Sequence, residues 1–417
     1  MAVSAHENSA VTRRRFLEQS SAAAIGAALG SNAAGALAAA ATPDMKYRRF
    51  GKTDLMISEI GLGCATGLKS RTLGPEGFNR YREELPAVLH KLLELGGNFV
   101  ATGHGYHDTE QILGDAMRGR RKEVIIFTSP DPPRDDVPSI IDRCESSLKH
   151  FHTDCIDCYF SHGRWSEAFY EAAVKLRQQG KIRFIGLSCH VPAEHLARVE
   201  AGEVDFVFQP YNYMALAKWT ELFDRNDVES LFALCKQRDI GVICMKPMTG
   251  HFIPNWAKDA SNPLVARLLG ELREFGKANL YQAFLMWVLK NPNVCCAAVG
   301  MSAVGDVIED CTAVNMQLTR RHEQLLDLYA AAATGDYCRL CETCVPHCPV
   351  GIRVPDILRY RMYYKNYGHC DDARELYAAV PPSRQVPACT QCGACQQACP
   401  NRLAIVEKLQ EAHSLLA

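Results

Sequence analysis

The chain lacks an excess of either charge. Its 46 lysines and arginines nearly balance 47 aspartates and glutamates, for a net charge of −1 and a pI near 6.9. Without a basic surface there is no electrostatic reason to expect nucleic acid or an anionic membrane as partner. Beyond the N-terminal segment the sequence also lacks any apolar run long enough for a membrane span. It has no G-x-G-x-x-G after its first apolar run either, which argues against a doubly wound dinucleotide-binding sheet. Cysteine is the opposite case, with 19 residues in 417. Eight of them form two tight clusters after residue 337, and the other eleven sit mostly in apolar runs such as IDCYF, GVICM and VCCAAV. Scattered through core segments, those eleven read as small buried hydrophobes and not as a disulfide framework.

The first 42 residues read as a cleavable export signal. Arg13, Arg14 and Arg15 precede Phe16-Leu17 and an uncharged Ala/Gly-rich run that ends in Ala38 to Ala41. Paired arginines before Phe-Leu resemble the twin-arginine type, which implies a folded, cofactor-loaded passenger and a periplasmic or otherwise exported destination. The mature chain is expected to begin near Ala41 to Asp44 and to have no integral membrane span.

From Lys46 to Ala332 short apolar runs alternate with amphipathic helical stretches. SEIGLGCAT, NFVATG, EVIIFTS, DCIDCYFSH, IRFIGLSCH, VDFVFQPY, GVICMKP and CCAAVGMS each suit a strand buried on both faces. Eight strands, each followed by a helix, predict an α/β fold, a (β/α)8 TIM barrel over 46–332. Residues after each run then lie at the C-terminal rim: Gly103 to His107, Ser129, His162, Ser188 to His190, Gln209 and Asn212, Lys246, and Gly300 to Ser302.

A second domain, 333–417, is expected to be mainly helical. Cys338, Cys341, Cys344 and Cys348 follow C-x2-C-x2-C-x3-C-P, and Cys389, Cys392, Cys395 and Cys399 repeat it. This is ferredoxin spacing: three thiolates of one loop reach three corners of a cubane, while the fourth ligates the other cluster. Two 4Fe-4S clusters are expected, one on Cys338, Cys341, Cys344 and Cys399, the other on Cys389, Cys392, Cys395 and Cys348. Structural zinc seldom needs four cysteines in eleven residues twice over. The tyrosines of YRMYYKNY are read as an ordinary packed helical face.

The barrel segment resembles the aldo/keto reductases. The residues that carry the likeness are GLGCATG, the G-x-Y and E-x-x-L-G of GYHDTEQILG, IDCYFSH, GKIRFIGLSCH, FQPYNY, GVICMKP and VGMSAVGDVIED. The whole chain after the signal resembles the branch that carries a C-terminal ferredoxin pair. The resemblance implies hydride exchange between NADP(H) and a carbonyl or alcohol, with Tyr106 as proton donor and His162 orienting the substrate oxygen. It also implies that Ser188 and Gln209 hold a nicotinamide and that Gly300 and Ser302 lie against the nucleotide. Lys246 is placed to reach a phosphate or the active centre, or to be a surface lysine; both readings stay open.

The sequence departs from the family where the ion pair of the catalytic tetrad belongs. The aspartate position is Ala101 and the lysine position is Ser129. With no adjacent cation to lower its proton affinity, Tyr106 is expected to stay protonated at neutral pH, able to donate but not to act as base. Losing one member of a buried ion pair strands the other at ~3–5 kcal/mol, whereas losing both approaches neutrality. The joint loss therefore implies a repurposed site. The expected function is an exported iron-sulfur oxidoreductase acting on a small carbonyl or alcohol, with electrons passing through the clusters and a redox protein as partner. The alternatives are an electron-transfer or docking subunit, and an NADP(H)-dependent reductase with an incomplete tetrad. His104, His107 and His190, with Cys189 nearby, are read as hydrogen-bonding rim residues, since no compact spacing links them as metal ligands.

Overall fold

The structure is a computed structural model. It describes residues 44–64, 74–130, 136–163, 165–189, 192–213, 225–248, 263–275, 280–333, 338, 343–367, 370–400 and 402–417. The proposed signal, His190 and Cys341 lie outside the described residues.

Two three-residue strands, β1 (Tyr47–Arg49) and β2 (Met56–Ser58), pair antiparallel as a hairpin. Eight parallel strands then close a barrel: β3 (Ile60–Gly63), β4 (Phe99–Ala101), β5 (Ile125–Thr128), β6 (Ile156–His162), β7 (Ile182–Ser188), β8 (Phe206–Pro210), β9 (Gly241–Met245) and β10 (Cys296–Val299). Hydrogen bonding runs in chain order and returns from β10 to β3. Each of the eight apolar runs supplies one strand. Their side chains are buried almost without interruption, as parallel strands covered by helices require.

Helices clothe the barrel: α1 (Gly74–Glu94), α2 (Thr109–Ala116), α3 (Val137–His150), α4 (Glu167–Gln178), α5 (Pro192–Ala201), α6 (Arg225–Arg238), α7 (Pro263–Glu274), α8 (Leu280–Leu289), α9 (Val304–Thr312) and α10 (Arg320–Ala333). Asp136 and Ser166 start α3 and α4 by accepting from backbone N–H groups three residues on.

Phenylalanine fills the barrel. Phe99, Phe127, Phe160, Phe206 and Phe208 interlock with Phe50, Leu55 and Ile57 of the hairpin, which plugs the N-terminal end. Two strand glycines make room for these rings: a Cβ on Gly186 would lie 2.3 Å from the Phe206 ring, and one on Gly61 2.1 Å from Phe99. The sequence reading missed the hairpin. Nine barrel cysteines are buried and all described cysteines are free thiols. Desolvation pushes Cys64, Cys144, Cys235 and Cys311 up to about 12, so these thiols stay neutral packing groups.

The C-terminal region has its own small core around α11 (Val354–Tyr367), α12 (Cys370–Ala378), α13 (Ala394–Gln397) and α14 (Ile405–Leu416). Buried Arg361 of α11 and exposed Lys365 converge on Glu411 of α14, at 2.6 Å each. Tyr360, Tyr363 and Tyr364 pack against this core as a helical face. On its other side α11 meets the barrel, where Met362 packs against the main hydrophobic core.

Candidate active site and cluster cradle

The loop after β4 is held by its own backbone and two threonines. Tyr106 donates its N–H to Gly103 O at 2.9 Å, and its carbonyl accepts from the Thr109 hydroxyl at 2.8 Å. Thr109 also meets Thr102 at 2.8 Å, and His107 takes a left-handed backbone, φ 53°. Tyr106 is thereby buried at the rim with its ring edge-on to His162, centroids 6.3 Å apart. His162 ends β6 directly opposite Ser188 at the end of β7. The structure thus brings Tyr106, His162 and Ser188 together.

Ala101 and Ser129 sit on the neighbouring strand ends, 8% and 1% exposed. The Ser129 hydroxyl is buried without a hydrogen-bond partner, while its carbonyl accepts from His104 N at 2.9 Å. Where the ion pair would stand there is an apolar methyl and a small hydroxyl.

Gln209 is wholly buried and held at both ends. Its Oε1 meets His195 Nδ1 at 2.9 Å, and its Nε2 donates to Pro210 O at 3.0 Å. His195, which sequence reasoning did not single out, is enclosed; desolvation outweighs its contacts with Gln209 and Leu187 O and lowers its pKa to about 4. A histidine whose folded pKa lies below its unfolded 6.5 stabilises the fold above that value, and the contribution is lost as pH falls from 6.5 toward 4. The urea midpoint of wild type should therefore drop between pH 7 and 5.5, with a slope of up to ~1.4 kcal/mol per pH unit from this group. His195→Gln should flatten that part of the profile, and an unchanged slope would remove His195 as its source.

Lys246 follows β9 in a left-handed backbone, φ 56°, and its carbonyl accepts from Asn212 Nδ2 at 3.1 Å. Desolvation, then the like charge of Arg359 on α11, lower its pKa to about 7. Much of the residue still meets solvent. After β10, Gly300 is half-buried, and Asp306 Oδ2 accepts from Ser302 N at 2.8 Å and Ala303 N at 3.2 Å. A carboxylate thus holds the two N–H groups just before α9 and puts a negative charge where a nucleotide phosphate would approach.

Beside the rim a second polar cluster lies between α2, α3 and β5. Glu110 is fully buried. Its Oε1 accepts from Thr128 Oγ1 at 2.6 Å and lies 2.8 Å from Ser147 Oγ; its Oε2 faces His150 Nδ1 at 3.1 Å and His104 Nδ1 at 3.4 Å. Burial works to raise the Glu110 pKa, but these four partners outweigh it and hold the carboxyl down to about 2. Glu110 belongs to the E-x-x-L-G segment, yet its partner His150 is 40 residues away, so no sequence spacing announced the cluster.

In the C-terminal domain, Cys389, Cys392, Cys395 and Cys348 line one small pocket, which groups the fourth cysteine of the first motif with three of the second. Left-handed backbone at Gln391, φ 55°, and Gly393, φ 75°, wraps the tight CTQCGAC loop. Ile352 N points at Cys348 Sγ at 3.2 Å and Gln391 N at Cys389 Sγ at 3.4 Å. Desolvation, then the neighbouring Cys389, Cys348 and Cys392, raise the Cys395 pKa. Converging sulfurs with N–H donors aimed at them and mutual repulsion as thiolates suit an iron-sulfur cluster. Of the other expected ligands, Cys338, Cys344 and Cys399 share the small core around this cavity.

Comparison with known proteins bears on both regions. The aldo/keto reductase family model matches residues 60–327, and the 4Fe-4S dicluster domain model matches residues 337–405. The uncharacterized oxidoreductase YqkF of Bacillus subtilis (strain 168) is 26% identical over 309 residues, 67% of this chain and 94% of that protein. Aldo-keto reductase AKR11C1 from Bacillus halodurans (holo form) superposes with a TM-score of 0.53 at 24% identity, covering 68% of this chain and 95% of that one. An aldo/keto reductase from Klebsiella pneumoniae in complex with NADP and acetate gives a TM-score of 0.53 at 23% identity, covering 68% and 95%. The likeness to these two structures is one of fold. With the family match spanning well over half its length, the chain belongs to the aldo/keto reductase family, an oxidoreductase barrel to which a 4Fe-4S dicluster domain is joined.

Proposed function

We propose that this chain is exported by the twin-arginine route and interconverts a small carbonyl and its alcohol at the barrel mouth, with electrons exchanged through two 4Fe-4S clusters. The observation that carries this reading is the seat of α11. The helix belongs to the cluster domain, yet Met362 packs against the main hydrophobic core and Arg359 bears on Lys246 at the rim. The two domains therefore meet at the end of the barrel where Tyr106 and His162 lie.

Bound clusters supply electrons singly. Carbonyl reduction consumes two electrons and two protons, so a redox protein outside the clusters must provide the pair, or accept it in the reverse direction. Cys348, Cys389, Cys392 and Cys395 would hold one cluster, and Cys338, Cys341, Cys344 and Cys399 the other. Tyr106 would donate a proton to the substrate oxygen while His162 orients it, and Lys246, with its proton affinity lowered, is a second group at the rim able to exchange a proton. The missing Asp–Lys pair and the Asp306 carboxylate at the phosphate loop support a route that does not depend on NADP(H).

The test is a single turnover. Anaerobically purified chain, reduced with dithionite and freed of excess reductant, should have its clusters reoxidised in stoichiometric amount by its substrate from a panel of small aldehydes and ketones. Tyr106→Phe should slow that reoxidation by about 10²- to 10⁴-fold. Clusters indifferent to every carbonyl and alcohol, alongside steady oxidation of NADPH, would overturn the reading.

A further inference from the structure

We propose that His104, Glu110 and His150 form a binding site for one divalent transition-metal ion of the zinc class, separate from the iron-sulfur ligands. Their donor atoms, two Nδ1 and one carboxylate oxygen, all lie within 4.8 Å of one another. Tetrahedral coordination at about 2.0–2.2 Å places donors ~3.3 Å apart. The two imidazole-to-carboxylate separations, 3.4 and 3.1 Å, already match, and only the two rings need draw together. The rings are parallel, 9° between planes and 5.8 Å between centroids.

The carboxylate is prepared for such a role. The Thr128 hydroxyl engages Oε1 and the Ser147 hydroxyl bridges Oε1 and Oε2, the outer hydrogen bonding that orients a ligating carboxylate, while both imidazoles face Oε2. Glu110 is buried and His104 and His150 are partly exposed, so an ion has a way in and room for a water or hydroxide as fourth ligand. Two imidazole nitrogens and one oxygen favour Zn²⁺, Co²⁺ or Ni²⁺ over Ca²⁺ or Mg²⁺. His104 and Glu110 also bracket Tyr106 in sequence, so a bound ion would staple the loop that carries it to α3. This site does not depend on the reaction proposed above.

The experiment uses the full chain with its clusters loaded, which occupies the eight cysteines of the two motifs, washed with a chelator that leaves iron in place and titrated with Co²⁺. One cobalt per chain is expected, with visible ligand-field bands and no thiolate-to-cobalt charge-transfer band. His150→Ala and His104→Ala should each weaken binding by at least about tenfold with iron content unchanged, which also shows that the variants fold. No uptake at micromolar cobalt, a thiolate charge-transfer band, or equal binding by both variants would overturn the site.

Discussion

Replacing Cys348 with alanine should remove the cluster that the other motif is proposed to hold. The variant should lose about half of the roughly eight irons expected of two 4Fe-4S centres. The electron paramagnetic resonance signal it lacks should be the one also missing in Cys389→Ala, whereas Cys344→Ala should lose the other. The expectation rests on one cavity, in which Cys348 joins Cys389, Cys392 and Cys395 although 41 to 47 residues separate it from them. Loading is done anaerobically, so that oxidative loss of iron is not mistaken for a ligand effect. Shared loss in Cys348→Ala and Cys344→Ala would mean that each motif holds a cluster by itself.

The second large effect lies at the centre of the barrel. Phe206 is wholly buried, with ring centroids 5.2 Å from Phe127, 5.6 Å from Phe50, 6.1 Å from Phe208 and 6.4 Å from Phe160. Phe206→Ala should cost about 3–5 kcal/mol, because neighbouring rings held by the strand lattice cannot collapse into the space. Gly186→Ala attacks the same contact from the other side: its methyl would fall 2.3 Å from the Phe206 ring, an overpacking worth about 1–3 kcal/mol. Combined, the two should cost clearly less than their sum, since the added methyl enters the cavity left by the ring. Denaturant midpoints of the four proteins decide it, and strict additivity would show that Gly186 and Phe206 do not share the space assigned to them.

Much of this architecture is legible in the residues. The eight barrel strands stand out because a parallel strand covered on both faces has little choice but to be apolar throughout, as IIFT at β5 and FVFQP at β8 are. The 4Fe-4S dicluster domain is legible for a different reason, since proximity in sequence is itself the constraint that lets three thiolates share one cubane. The hairpin escaped notice because YRR and MIS are three residues each, too short to show alternation against background. Glu110 was visible only as part of a family signature; what it does depends on Ser147 and His150, which a helix and a strand separate from it. The seat of α11 on the barrel is equally silent, because Met362 sits among tyrosines that face the domain's own core, and one residue on the opposite side makes no period.

The hairpin carries one more implication. With Phe50 and Ile57 wedged into its lower end and phenylalanine rings filling it above, the barrel is a packed plug and not a tube, so Tyr106 and His162 are approached from the C-terminal rim. Substrate, product and protons then share that rim, where the charge of Arg359 on α11 bears on Lys246. Entry and release compete for one side of the barrel, which a sealed lower end cannot relieve.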